Sequence, residues 1–139
     1  MDNQIKSKNR VTKFGEVNTS INEINSMLNL VKQETERLDS RFFEPACGDG
    51  NFLYEVLKRK LKTLETRYKK NQYEFERNLI VVVGSIYGID LLEDNVEATK
   101  KRLFNLSENI YKKYFNKYIN PKLIQSLSFL LNKNIICGD

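Results

Sequence analysis

Eleven consecutive residues restrict this chain more than any others: Phe43-Glu44-Pro45-Ala46-Cys47-Gly48-Asp49-Gly50-Asn51-Phe52-Leu53. They set a strand end, a glycine turn and a helix start in immediate succession. In an open α/β sheet, ligands bind beyond the carboxyl ends of the strands. Gly48 and Gly50 let the backbone pass close to such a ligand without side-chain obstruction. The strand closes on an acid, Glu44, which decides the kind of ligand. A phosphate site would use backbone amides and a lysine, and no Gly-Lys-Ser/Thr follows here. A carboxylate suits a cation instead, such as the ammonium group of an amino acid. Cys47 reads as small packing in a tight turn.

The rest of the chain alternates in the same sense. Ser20 to Leu38 reads as a helix, with Ser20 and Glu23 at capping-box spacing and Ile21, Ile24, Leu28 and Val31 at helical intervals. Arg41 to Glu44 reads as a short strand. From Asn51 a second helix carries Leu53, Val56, Leu57, Leu61, Leu64 and Tyr68 on one stripe, with Lys58, Arg59 and Lys62 facing away. Lys69 to Arg77 reads as a solvated helix end and connection. Leu79 to Val83 fits a strand by its β-branched run, and equally a buried helix closed by Gly84. Ser85 to Asp90 is a clearer strand. Asp94 and Glu97 open a helix that continues into the aromatic, basic stretch Tyr111 to Tyr118. That stretch either buries its rings or stacks them on bases. Pro121 breaks it, Lys122 to Leu131 forms another helix, and Asn134 to Cys137 a last strand. This order predicts a parallel sheet of about three strands flanked by helices, a partial doubly wound α/β fold.

Two further strands end in acids. Ile86-Tyr87-Gly88-Ile89-Asp90-Leu91 puts Asp90 where a ribose diol is held in such folds, although an acid there can equally cap the next helix. Ile135-Ile136-Cys137-Gly138-Asp139 ends in Asp139. Three strands delivering three carboxylates to one edge form a constellation that none of them makes alone.

Composition removes several alternatives. The chain has 139 residues, enough for one hydrophobic core. It has no histidine and only Cys47 and Cys137, which argues against a zinc site and against Ser-His or Cys-His catalysis. No stretch approaches the roughly 20 apolar residues that span a membrane, and Met1 to Arg10 is a polar tail without an apolar signal core. A cytoplasmic location is the default expectation, with residues 11–139 as one domain. The net charge of +5 suits a nucleic-acid partner through phosphate attraction.

Glu44 to Leu53 resembles the first cofactor motif of amino-methylating DNA methyltransferases, Asp/Glu-Pro-Ala/Ser-Cys-Gly-x-Gly-x-Phe-Leu. Tyr87 to Asp90, followed by Asp94-Asn95-Val96, is similar to their second motif, and Asn134 to Asp139 to their third. Upstream, Thr12 to Ser20 resembles the N-terminal motif Gly-Glu-Val-Phe-Thr-Pro, with Asn18 in place of Phe and Ser20 in place of Pro. The order is that of the adenine-N6 enzymes of restriction-modification systems, and the resemblance covers about residues 10–139. It implies a Rossmann-like fold that binds S-adenosylmethionine. Glu44 and the turn of Pro45, Ala46, Cys47, Gly48 and Gly50 would meet its methionine end. Asp90 would take the ribose hydroxyls, Leu91 would pack on the adenine, Asp139 would accept from its amine, and Thr19 would hold the carboxylate. Duplex DNA with an adenine target would be the substrate of the complete enzyme.

One family feature is missing. The catalytic Asp/Asn/Ser-Pro-Pro-aromatic follows the third motif in these enzymes and holds the flipped adenine. This sequence contains no Pro-Pro. The expectation is cofactor binding without transfer by this chain alone, either as a non-catalytic fragment or as half of a split enzyme. A methyltransferase acting on protein glutamine or RNA is the alternative within the same fold; a dehydrogenase would need the full Gly-x-Gly-x-x-Gly. In this family the strand after the third motif lies beside the first. Without it, the strand at Arg41 to Glu44 has an open edge, which predicts self-association or dependence on a C-terminal piece.

Overall fold

Apolar residues spaced for helices alternate with short β-branched and aromatic runs, and the chain folds accordingly. The computed structural model describes residues 20–139. The polar tail and Thr19 lie outside the described residues. Three strands, β1 (Phe42–Glu44), β2 (Ile86–Asp90) and β3 (Ile135–Cys137), form one parallel sheet in the order β1-β2-β3. Phe42 aligns with Ile86 and Glu44 with Gly88, while Gly88 aligns with Ile135 and Asp90 with Cys137. Helices α1 (Ile21–Asn29), α2 (Lys32–Glu36), α3 (Asn51–Tyr68), α4 (Gln72–Gly84), α5 (Glu93–Phe115) and α6 (Pro121–Asn134) complete the described fold. The sheet is one half of a doubly wound fold, as the order of elements predicts. None of these helices is long and apolar enough to cross a membrane.

The core forms where the stripe of α3 meets its neighbours. Leu53, Val56, Leu57 and Leu64 are fully buried, together with Phe75, Leu79, Val82 and Val83 of α4 and Ile86 of β2. Leu79 to Val83 is therefore helical, and the crossover from β1 to β2 holds two helices. The buried positions 75, 79, 82 and 83 recur at helical spacing, so packing overrides the β propensity of the run. Asn71 starts α4 by accepting the Glu74 N–H at 3.1 Å. The connection expected over 69–77 is thus only 69–71.

The single helix expected over 20–38 is two. Ser20 caps α1 as its spacing predicts, accepting the Glu23 N–H at 3.2 Å, but Val31 leaves the helix at φ −123°, ψ 37°. Both pieces pack on α3, which draws each in with polar groups. Arg59, expected to face solvent, donates to Asn25 Oδ1 at 3.0 Å and Asn29 Oδ1 at 2.8 Å. Lys60 is wholly buried, and its ammonium donates to the carbonyls of Arg37, Leu38 and Ser40. These bonds hold the chain between α2 and β1.

The aromatic stretch buries its rings. Tyr111 is inaccessible, Phe75 and Phe115 meet at 5.1 Å between centroids, and Tyr114 bonds Glu65. Only Tyr118, in the short 3-10 turn Asn116–Tyr118, stands in solvent. Asn120 caps α6, with Pro121 at its first turn.

Candidate functional site

The carboxyl edge of the sheet gathers the acids that the strand pattern predicts. β1 ends at Glu44 and β2 at Asp90; Asp139 lies two residues beyond β3. Glu44 and Asp90 are half-buried, while Asp139 is exposed. Between the first two runs the turn of Pro45 to Gly50. It needs its glycines: Gly48 has φ +57° and Gly50 φ +91°, both left-handed. A Cβ on Gly50 would lie 3.0 Å from the Thr99 side chain, whereas one on Gly48 would meet nothing within 4 Å. The turn is closed against α5 at Gly50 and open at Gly48, leaving space beside the strand ends. Pro45 and Ala46 are exposed.

Glu44 uses one oxygen to fix its own turn, with Oε1 accepting the Ala46 N–H at 3.0 Å. Asp90 is the hub. Its Oδ2 accepts the Gly48 N–H at 2.9 Å, joining the second motif to the first. Its Oδ1 accepts the Leu92 N–H at 2.9 Å and Asn95 Nδ2 at 3.1 Å, which starts α5 without a local cap. The helix begins at Glu93, one residue before the expected Asp94. Asp90 O accepts the Gly138 N–H at 2.9 Å, which ties the end of β3 to the same point. Asp90 thus fixes the approach to α5 without capping it, and its Oδ2, with one donor, keeps acceptor capacity toward a ligand. Leu91 follows as an exposed apolar side chain, 55% accessible.

Cys47 packs beneath the turn, 5% accessible. Burial, then the charges of Asp90 and Glu44, push its thiol up to about 11, so it is protonated near neutral pH and no nucleophile. Its N–H donates to Ile89 O at 2.9 Å. Gly88 makes room for it: a Cβ there would lie 2.8 Å from Leu53 Cδ1 and 3.2 Å from Cys47 Cβ.

The motifs alone miss Thr99 and Arg102 of α5. Thr99 Oγ1 donates to Gly48 O at 3.1 Å. Arg102 donates to Asp49 O at 3.2 Å and Asn51 Oδ1 at 2.7 Å, with its guanidinium 4.5 Å from the centre of the Tyr54 ring. Thr99 carries a signal, a conflict of pattern. Asn95, Thr99 and Ser107 are polar yet share the inward face of α5 with Val96 and Leu103.

A parallel sheet edge with a glycine turn and paired acids can hold a ligand bearing both a cation and a diol. No curated protein and no solved structure matches the chain. One family model does, that of the MmeI DNA-methyltransferase domain, over residues 17–139. That match spans the whole described fold, with its turn and strand-end acids, and the chain belongs to the MmeI DNA-methyltransferase domain family.

Proposed function

We propose that this chain binds S-adenosylmethionine along the carboxyl edge of its sheet, as the cofactor-holding part of an adenine-N6 DNA methyltransferase of a restriction-modification system. The observation that carries the reading is the Asp90 hub, which brings the glycine turn and the ends of β2 and β3 to one place. The residues fit the group. Glu44 faces the ammonium with Oε2, and the open side of Gly48 admits the methionine chain. Asp90 takes the ribose hydroxyls, Leu91 offers apolar surface to the adenine, and Asp139 accepts from the adenine amine. Thr19 takes the carboxylate. The chemistry that S-adenosylmethionine supplies when bound is an electrophilic methyl group on sulfur. This chain's part is to bind and orient.

Transfer also needs a group that lines up the target amine with that methyl. The only prolines are Pro45 and Pro121, so the Pro-Pro tetrapeptide that performs this in the family is absent from the sequence. We therefore assign the transfer step to the complete enzyme and cofactor binding to this chain. The second reading, a half that works with another polypeptide, draws on the open edge of β1 among the described residues.

The test is calorimetric titration with S-adenosylhomocysteine of the wild type, Glu44→Gln and Asp90→Ala. Glu44→Gln keeps the acceptor for Ala46 and removes the charge, so binding weakens about tenfold while stability holds. Asp90→Ala loses binding and also melts earlier, since it strands the Gly48 and Leu92 amides. A folded wild type that binds nothing sinks the reading.

A further inference from the structure

We propose that Thr99 and Arg102 are positioning residues: a clamp from α5 that sets the conformation of the Gly48 to Asn51 turn and thereby the affinity of the site. The affinity part rests on the cofactor reading above. Gly48 is gripped from two directions. Its N–H donates to Asp90 Oδ2 at 2.9 Å, and its carbonyl accepts from Thr99 Oγ1 at 3.1 Å. The next carbonyl, Asp49 O, accepts from Arg102 at 3.2 Å, and Arg102 also reaches Asn51 Oδ1 at 2.7 Å. Peptides are planar and trans. A Gly48 carbonyl held toward α5 therefore aims the Asp49 N–H away from α5, and an Asp49 carbonyl held there does the same for the Gly50 N–H. Gly50 N–H finds Cys47 O at 2.9 Å, as this geometry requires.

The clamp also explains placements that packing alone does not. Thr99 is fully buried, a position that favours valine unless its hydroxyl is used. Its methyl and hydroxyl both press on the space above Gly50, at 3.0 Å from where a Cβ would stand. Arg102 lies over the ring of Tyr54, on the first turn of α3, which restrains its fork before any ligand arrives. Because Asp90 ends β2 and binds Leu92 and Asn95 at the start of α5, the second motif's acid and both restraints on the first motif's turn are tied to one helix. The two halves of the site cannot shift independently.

The test compares Thr99→Val, Thr99→Ser, Arg102→Gln and Arg102→Lys by two measurements. Amide hydrogen exchange without ligand reads the clamp itself. In Thr99→Val and Arg102→Gln, the Gly48 and Gly50 amides exchange about tenfold faster or more, while those in the middle of α3 and α6 keep their wild-type rates. Calorimetry with S-adenosylhomocysteine reads the consequence. Thr99→Val weakens binding about tenfold and Thr99→Ser, which keeps the donor, returns to within about twofold. Arg102→Lys, a point charge without the fork, falls between wild type and Arg102→Gln. If Thr99→Val fails to fold, the half-buried Arg102→Gln carries both measurements. Unchanged exchange at Gly48 and Gly50, or wild-type affinity in Thr99→Val, overturns the proposal. Faster exchange in a chain whose wild type binds no cofactor leaves the clamp standing and removes the cofactor reading instead.

Discussion

Lys60 shows how far a single residue can depart from its sequence appearance. It stands among Lys58, Arg59 and Lys62, yet it is inaccessible and donates to three carbonyls at 2.5–3.3 Å. Those acceptors keep the ammonium tolerable. Burial nevertheless pulls its pKa down from 10.5 to about 8, against the partial relief given by Asp39 and Glu34. Between these two values the unfolded chain holds a proton that the folded chain has released. Stability contributed by this side chain therefore rises as pH climbs through that window, and is flat below it. Denaturant titrations of wild type and Lys60→Met across the window read this directly. The wild type should gain on the variant by up to about 3 kcal/mol. A constant difference would mean that the ammonium is not desolvated. Asp90, by contrast, is legible as an acid closing a strand, with a ligand role and a capping role both open to it. The sequence places an acid at a strand end; only the fold shows that its oxygens meet Gly48, Leu92 and Asn95.

Elements were legible wherever local signal and packing agree. The turn from Glu44 to Asn51, the strands at Ile86 and Ile135, the cap at Ser20 and the break at Pro121 all stand where their chemistry puts them. The failures came where a tertiary partner decides. The break at Val31 answers to Arg59 and Lys60 on α3, thirty residues away in sequence or nearly so. The helix α4 answers to the apolar stripe of α3. A strand over 79–83 would align Leu79, Val81 and Val83 on one face; the helix aligns Leu79, Val82 and Val83 and leaves Val81 39% accessible. Thermal or urea unfolding distinguishes them. Leu79→Ala should cost about 2–5 kcal/mol, whereas Val81→Lys should change stability by about 0.5 kcal/mol or less. A severe loss in Val81→Lys would restore the strand. The site followed the same rule: the motif acids were legible, but Thr99 and Arg102 were hidden because their partners are backbone carbonyls in another element.

At the scale of the molecule the sheet is unbalanced. Ile86, Gly88 and Ile135 lie buried on one face under the helices, but the register puts Phe43, Tyr87, Ile89 and Ile136 on the other, and none of these is buried. Phe43 is 62% and Ile136 47% accessible. Parallel sheets are stable with both faces covered, because their strands expose apolar side chains on each. β1 also has only β2 beside it among the described residues, so its outer edge offers unpaired peptide groups next to Phe43. An apolar face and an open edge meeting at one residue give association two driving forces at once. The prediction is that this chain, by itself in solution, self-associates through that surface. Sedimentation velocity should show a weight-average coefficient that climbs with concentration. The double variant Phe43→Lys, Ile136→Lys should sediment as a monomer while keeping its melting temperature, since neither side chain contributes to the core. A polypeptide that supplies the covering layer should suppress association of the wild type in the same way, by competing for the same face. A wild type that stays monomeric at the highest attainable concentration would mean that the exposed face is already satisfied, and the two-polypeptide reading of the function would lose its structural support.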